Sequence, residues 1–191
     1  SEVVPGLQSS LSLWYLHLDS ELVFEGDTGT DAVGRPSRRA GIEWSNHYTP
    51  VNWLLMDLDL AYTRARFADN DPVGNYIPES LQATAAGGIT VRNLGPSTAS
   101  LSGRYFGPRP LIEDNSVKSK STTLFNAQAT YEVSRNLRLR LDEFNLFDRK
   151  ADDITYYYAS RLPGESVDGF NDLHYHPLES RSVRLAALMT F

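Results

Sequence analysis

Hydrophobicity in this chain recurs at every second residue rather than at helical spacing, and that period restricts the backbone to extended strands with two chemically distinct faces. From Trp53 to Arg66, Leu54, Met56, Leu58, Leu60 and Tyr62 fall on one face, and Asp57, Asp59, Ala61 and Thr63 on the other. From Ser12 to Phe24, Trp14, Leu16, Leu18, Leu22 and Phe24 oppose Tyr15, His17, Asp19 and Glu21. Ala40, Ile42, Trp44 and Tyr48 oppose Arg39, Glu43, Ser45 and His47. Weaker alternation runs through Leu81–Val91, Ala99–Tyr105 and Phe125–Val133, with Gln82, Thr84, Ser102, Arg104, Asn126, Gln128 and Glu132 on the polar side. Leu137–Leu141 alternates with Arg138 and Arg140, and Val183, Leu185, Ala187, Met189 and Phe191 share a face at the end. The period therefore predicts an all-β chain of eight strands.

The connections alternate in length. Thr49–Asn52, Leu94–Pro96 and Ser134–Asn136 are tight turns carrying Gly, Pro and Asn. The others, roughly Gly26–Ser37, Ala68–Ser80, Gly107–Lys120 and Asp148–Ser180, are long and polar. In an antiparallel up-and-down meander this gathers all short turns at one end and all long loops at the other. That asymmetry is the mark of a transmembrane β-barrel with short periplasmic turns and long extracellular loops. Strands of about 9–11 residues suffice to cross the hydrocarbon, and aromatics such as Trp44, Trp53, Tyr62, Tyr105 and Phe125 fall near strand ends, where interfacial girdles form. A soluble β-sandwich or ligand-binding barrel also alternates, so the pattern alone leaves that reading open.

Composition narrows the classes. No apolar run is long enough for a transmembrane helix, which says nothing about transmembrane strands. The net charge of −6 argues against a surface that tracks nucleic-acid phosphates. With no cysteine, disulfide scaffolds, thiolate zinc sites and cysteine nucleophiles are excluded. There is no Gly-x-Ser-x-Gly elbow, phosphate loop or His-Glu-x-x-His, and no enzyme is expected. The start, Ser1-Glu2-Val3-Val4-Pro5, is expected to be a processed end or part of a longer chain.

Several segments carry a resemblance. They are Asn145-Leu146-Phe147-Asp148-Arg149-Lys150 after a strand, Leu162-Pro163-Gly164-Glu165 in the last loop, and Ser180-Arg181 opening the final strand. Upstream are Glu21-Leu22-Val23-Phe24 with Gly26-Asp27, then Arg39-Ala40-Gly41-Ile42-Glu43, Ala61–Phe67 and Asn75-Tyr76-Ile77-Pro78. As a set they resemble the C-terminal part of the barrel of a TonB-dependent outer-membrane receptor. Phe191, on an alternating last strand, looks like the C-terminal signal read by the barrel-assembly machinery. Two positions depart from the pattern. Ala151 stands where a tyrosine is usual, and Glu143 where an apolar residue is usual; a bulge between Leu141 and Phe144 would turn Glu143 inward.

The resemblance implies that residues 1–191 are a barrel segment without the plug domain, from a barrel of roughly 22 strands in the outer membrane of a Gram-negative bacterium. It implies TonB-driven uptake of a scarce nutrient, an iron-siderophore-type chelate in first place, with outer-membrane lipid, the inner-membrane TonB complex and the barrel-assembly machinery as partners. It implies no cofactor. A wet lumen explains the polar-side charges Asp57, Asp59, Arg104, Arg138 and Arg140, together with His17, Asp19, Glu21, Glu43 and Glu132, which hydrocarbon would not tolerate. The ligand-binding candidates lie in the last loop: Tyr156, Tyr157, Arg161, His174 and His176. The His-x-His pair shares a face but lacks a third fixed ligand, so no metal site is expected. The tyrosines either stack on an aromatic or catecholate ligand or, the favoured reading, continue a strand above the membrane with a girdle aromatic, and Arg161 either clamps an anion or pairs with Glu165. A complete eight-stranded barrel remains a second reading.

Overall fold

The computed structural model describes residues 4–24, 31–167 and 169–190; the terminal Phe191 lies outside them. Among the described residues there are ten strands and no helix. They are β1 (Leu7–Phe24), β2 (Asp31–Val51), β3 (Leu54–Phe67), β4 (Ala83–Leu94), β5 (Ser97–Phe106), β6 (Thr122–Ser134), β7 (Leu137–Phe144), β8 (Asp152–Ser160), β9 (Phe170–Pro177) and β10 (Ser182–Met189). Eight form one antiparallel sheet in the order β1-β2-β3-β4-β5-β6-β7-β10, and β8 and β9 form a hairpin of their own. The sheet is open, with β1 and β10 as its edges. A closed eight-stranded barrel would need those two strands to pair.

Short turns at 52–53, 95–96 and 135–136 lie at one end and long connections at the other. At the β4–β5 turn Asn93 and Gly95 adopt left-handed φ of 59° and 81°, and the register shifts between Val91 and Leu94. Asn and Gly are the residues that enter this region at least cost.

Two long connections differ from expectation. β2 begins at Asp31, so the Gly26–Ser37 loop is shorter than its polarity suggests. Its opening residues, Asp31-Ala32-Val33-Gly34-Arg35-Pro36-Ser37-Arg38, mix polar and small residues on both faces, and a strand without one apolar set lacks the alternation that reveals it. The Asp148–Ser180 connection holds the β8–β9 hairpin, built from the β-branched and aromatic run Ile154-Thr155-Tyr156-Tyr157-Tyr158. The tyrosines therefore do not extend a strand of the sheet into a girdle.

Register sorts the side chains. Leu11, Leu13 and Tyr15 share a face with Ile42 and Trp44, with Leu58, Leu60 and Tyr62, and with Ile89, Leu101 and Tyr131. This apolar face is open, Leu13 being 77% exposed. The opposite face carries Glu43, Asp57, Asp59, Arg104, Glu132, Arg138, Arg140 and Asp142. β1 reverses the expected assignment. Trp14, Leu16 and Leu18 lie on the polar face opposite Gly41, Arg39 and Ser37, whereas His17 lies on the apolar side opposite Arg38. The reason is Gly41: a Cβ there would meet the Trp14 ring at 2.5 Å, so only glycine leaves the indole room. Glu143 is also corrected. β7 pairs with β6 and β10 without a bulge between Leu141 and Phe144, so Glu143 faces the apolar side, 3.9 Å from Arg181, and Asp142 turns to the polar side.

The sheet itself buries little. Ala65, Phe67, Ile77, Leu111 and Leu124 are buried at the long-loop end, where the 68–82 and 107–121 connections fold against each other. Tyr76 N donates to Glu113 O and Glu79 N to Pro110 O, each at 2.9 Å.

Candidate functional site

The polar face is a charged wall that holds two ion pairs among the described residues. Arg138 bonds Glu132 at 2.7 Å, and Arg140 bonds Asp142 at 3.0 Å. Asp142, 4% exposed, also accepts from Gln128 Nε2 at 2.7 Å. The exposed Arg138–Glu132 pair adds little to stability, while Asp142 depends on both its donors. Asp57 and Asp59 line a shallow cleft of about 370 Å³ with Gln8, Ser45 and His47. Arg104 lies one strand beyond Ala86, which pairs with Asp59, and its guanidinium is 5.8 Å from the Phe106 ring. Asp142 was missed in the sequence because Leu141-Asp142-Glu143-Phe144 leaves either acid free to be the inward one.

Above this wall the loops are stapled to the strands. Arg35 donates two hydrogen bonds to Asp69, one at 2.7 Å, and a third to Gly74 O at 2.8 Å, with its guanidinium 4.0 Å from the Phe67 ring. The guanidinium holds the Asp69 carboxyl below the usual range. Arg109 ties three segments: Nη1 is 3.5 Å from Glu79, Nη2 is 3.4 Å from Asp153 O, and its backbone exchanges hydrogen bonds with Ser119.

Burial pushes the Glu79 carboxyl up to about 7, and Arg109 offsets only part of that. Glu79 Oε2 is buried with no hydrogen bond among the described residues. Because the folded value lies above 4.5, the packed loops favour the protonated acid. The contribution is fully present below the unfolded value and is lost as pH rises through about 7. Hydrogen exchange at the Tyr76 and Glu79 amides is therefore expected to be slower, relative to intrinsic rates, at pH 5.5 than at pH 8.5. Glu79→Gln is expected to remove that pH dependence, a change on the order of 1 kcal/mol after solvent screening. Unchanged pH dependence in the variant would refute the assignment.

The hairpin overhangs a cleft of about 650 Å³ between the 107–121 connection and the start of β8. Lys118, Lys120, Arg149 and Lys150 line it with Tyr175, Leu173 and Thr155, and Asp148 and Asp152 are the acids present. Of the candidates named from sequence, Tyr156, His174 and His176 share one face of the hairpin, and Tyr157 lies on the other with Thr155, Leu173 and Tyr175. The Tyr158 ring stacks on His174 at 3.9 Å, and His174 Nε2 is buried without a hydrogen bond among the described residues. Arg161 is exposed and bonds Glu165 O at 3.1 Å, turned to its own loop. The cleft's cations were missed individually, though Lys118-Ser119-Lys120 and Arg149-Lys150 are visible as short basic pairs flanking β6 and β8.

The turn joining wall and hairpin is Asn145–Asp148. Asn145, 6% exposed at φ 51°, receives Arg149 N at 2.8 Å and donates to Arg149 O and Glu179 O, both at 3.0 Å; its own N donates to Asn126 Oδ1 at 3.0 Å. Asp148 Oδ1 accepts Arg181 N at 2.9 Å.

An open, antiparallel, two-faced sheet with short turns at one end and folded loops at the other matches one family model, "TonB dependent receptor-like, beta-barrel", over residues 4–146. The chain belongs to this family. It is thus a chain of the outer membrane of Gram-negative bacteria, where barrels turn an apolar face to lipid and a polar face to the lumen. Solved structures share the fold. The closed form of the ferric-catecholate import receptor Fiu from K12 E. coli is 20% identical with a TM-score of 0.73, over 100% of this chain and 26% of that one. The ferric yersiniabactin uptake receptor FyuA from Yersinia pestis is 16% identical with a TM-score of 0.76, over 98% and 28%. The copper transporter OprC is 18% identical with a TM-score of 0.67, over 99% and 30%. The chain of this TonB-dependent receptor family therefore spans about a quarter to a third of those structures. No curated protein matches it.

Proposed function

We propose that residues 1–191 form the C-terminal wall of a TonB-dependent receptor barrel that takes up an anionic metal chelate of the ferric-siderophore type. The cleft beneath the β8–β9 hairpin carries this reading: four cations and a tyrosine surround a space the size of a small ligand. The similar receptors Fiu and FyuA are receptors for ferric-catecholate import and ferric yersiniabactin uptake, which supports a chelate over a sugar or cobalamin. On this reading Tyr156, Tyr157, His174 and His176 sit on the hairpin that covers the ligand, and Arg161 holds the shape of its tip. The open edges β1 and β10 complete the barrel by pairing with further strands. A plug inside that barrel would engage the inner-membrane TonB complex, and the last strand, with Phe191, would address the assembly machinery.

The full-length receptor, purified and titrated with a synthetic ferric tris-catecholate, tests the reading. The triple variant Lys120→Gln, Arg149→Gln, Lys150→Gln is expected to bind about tenfold more weakly, with the loss shrinking at high salt. Undiminished binding and uptake would overturn the cleft as the capture site.

A further inference from the structure

The lipid-facing side carries two features that transport does not use. Beyond the row of Leu13, Ile42 and Tyr62 stand three arginines: Arg64 in the row of Tyr15 and Ala40, and Arg38 paired across to Arg66 in the next. Arg38 and Arg64 are exposed, and no acid among the described residues pairs with either. Arg66 is half-buried and fixed by the Tyr76 ring at 3.6 Å. His17 is in the same row, with Nε2 3.3 Å from Asp19. These residues lie at the long-loop end, the extracellular side of an outer-membrane barrel, at the depth of lipid headgroups.

Below them the wall is dented. Gly87 and Gly103 pair across β4 and β5, and with Ala85 they floor an almost wholly apolar depression of about 550 Å³ walled by Leu58, Leu101 and Phe125. Both glycines are sterically required: a Cβ at Gly87 would meet Asp57 O at 2.7 Å, and one at Gly103 the Phe125 ring at 2.8 Å. The surroundings of this face are hydrocarbon, so its occupant is an acyl chain. Ala85 pairs with Leu60, and from Leu60 to Arg64 is about 13 Å along the strand, within reach of one extended chain.

We propose that this face holds one phosphorylated glycolipid of the extracellular leaflet, its phosphate on Arg38, Arg64 and Arg66 and one acyl chain in the depression floored by Gly87 and Gly103. Guanidinium forks match phosphate oxygens, and charge attraction is strong at the headgroup level, where an outward arginine costs the barrel little. Packing rather than hydrophobicity favours the chain, since lipid tails are as apolar as the wall; a preformed dent gives the tail contacts that a flat wall lacks.

The full-length receptor in mild detergent, titrated with diphosphoryl lipid A, its dephosphorylated form and phosphatidylglycerol and followed by native mass spectrometry, tests this. Diphosphoryl lipid A is expected to bind about tenfold more tightly than the other two, and Arg38→Gln with Arg64→Gln to abolish that preference. Ala85→Phe, which fills the dent from the lipid side, is expected to weaken both lipid A forms about equally, with Ala85→Leu as a milder second variant. Heat-modifiable migration reports that each variant is folded. Equal binding of the phosphorylated and dephosphorylated forms, equal binding of phosphatidylglycerol, or no effect of the arginine pair would each overturn the proposal. Chelate binding at the extracellular cleft is measured separately and bears on neither outcome.

Discussion

Asn145→Ala is expected to destabilise the wall by about 3 kcal/mol, read as a lower temperature for loss of heat-modifiable migration of the full receptor. The side chain makes three hydrogen bonds from a buried position, linking the end of β7, the approach to β8 and the segment before β10. Truncation leaves Arg149 N without its acceptor and Glu179 O without a donor, each a desolvation cost of about 1 kcal/mol or more. Alanine must also hold φ 51°, a region asparagine enters more readily. Asn145→Gly separates the two effects. It keeps the backbone and loses the bonds, so it is expected to recover about 1 kcal/mol relative to alanine. Equal stability of alanine and wild type would refute the role of the turn as the clamp between wall and hairpin.

Gly74→Ala is expected to unpack the two extracellular loops outright. Gly74 sits at φ 132°, and a Cβ there would lie 2.3 Å from Glu113 O and 2.5 Å from its carbonyl carbon. These are backbone atoms, so no rotamer relieves the clash, and the 68–82 connection must lift from the 107–121 connection. That lift also carries off the Gly74 carbonyl, which Arg35 binds at 2.8 Å. Expected readouts are protease cleavage within 68–82 at least about tenfold faster on intact cells, and weaker binding of the chelate proposed above, because the 107–121 connection forms one side of the cationic cleft. The sheet itself is expected to persist, since the loops lie outside its hydrogen-bonded ladder. Resistance to cleavage equal to wild type would show that the loops tolerate the shift.

Much of the architecture was legible because the membrane imposes a simple code. Met56, Leu58, Leu60 and Tyr62 against Asp57 and Asp59 could be read directly as two sets, and register puts each set in line with its cross-strand neighbours on one face. Arg138 and Arg140 were readable as polar-face residues for the same reason, and each has an acid beside it. β1 was misread because Leu11, Leu13 and Tyr15 and the set Trp14, Leu16 and Leu18 are both apolar, so composition does not choose between them. Gly41 chooses, through the space it leaves for Trp14. The cleft was least legible. Lys118, Lys120, Arg149 and Tyr175 are separated along the chain and come together only when the hairpin folds over the 107–121 connection.

What the amino-acid order determined by itself is the period, the number of strands in the wall, the alternation of turns and loops, and the partition of each strand into two sets. A period of two is symmetric under exchange of faces, so it cannot say which set looks toward lipid where both are apolar, nor which of Asp142 and Glu143 is inward. Cross-strand register breaks that symmetry by matching each strand to its neighbour. Loops carry no period to read, and their structure depends on long-range contacts such as Arg35 with Asp69, Arg109 with Asp153 and Asn145 with Glu179. Only the tertiary structure decided those, and with them the shape of the cleft and of the dent in the outer wall.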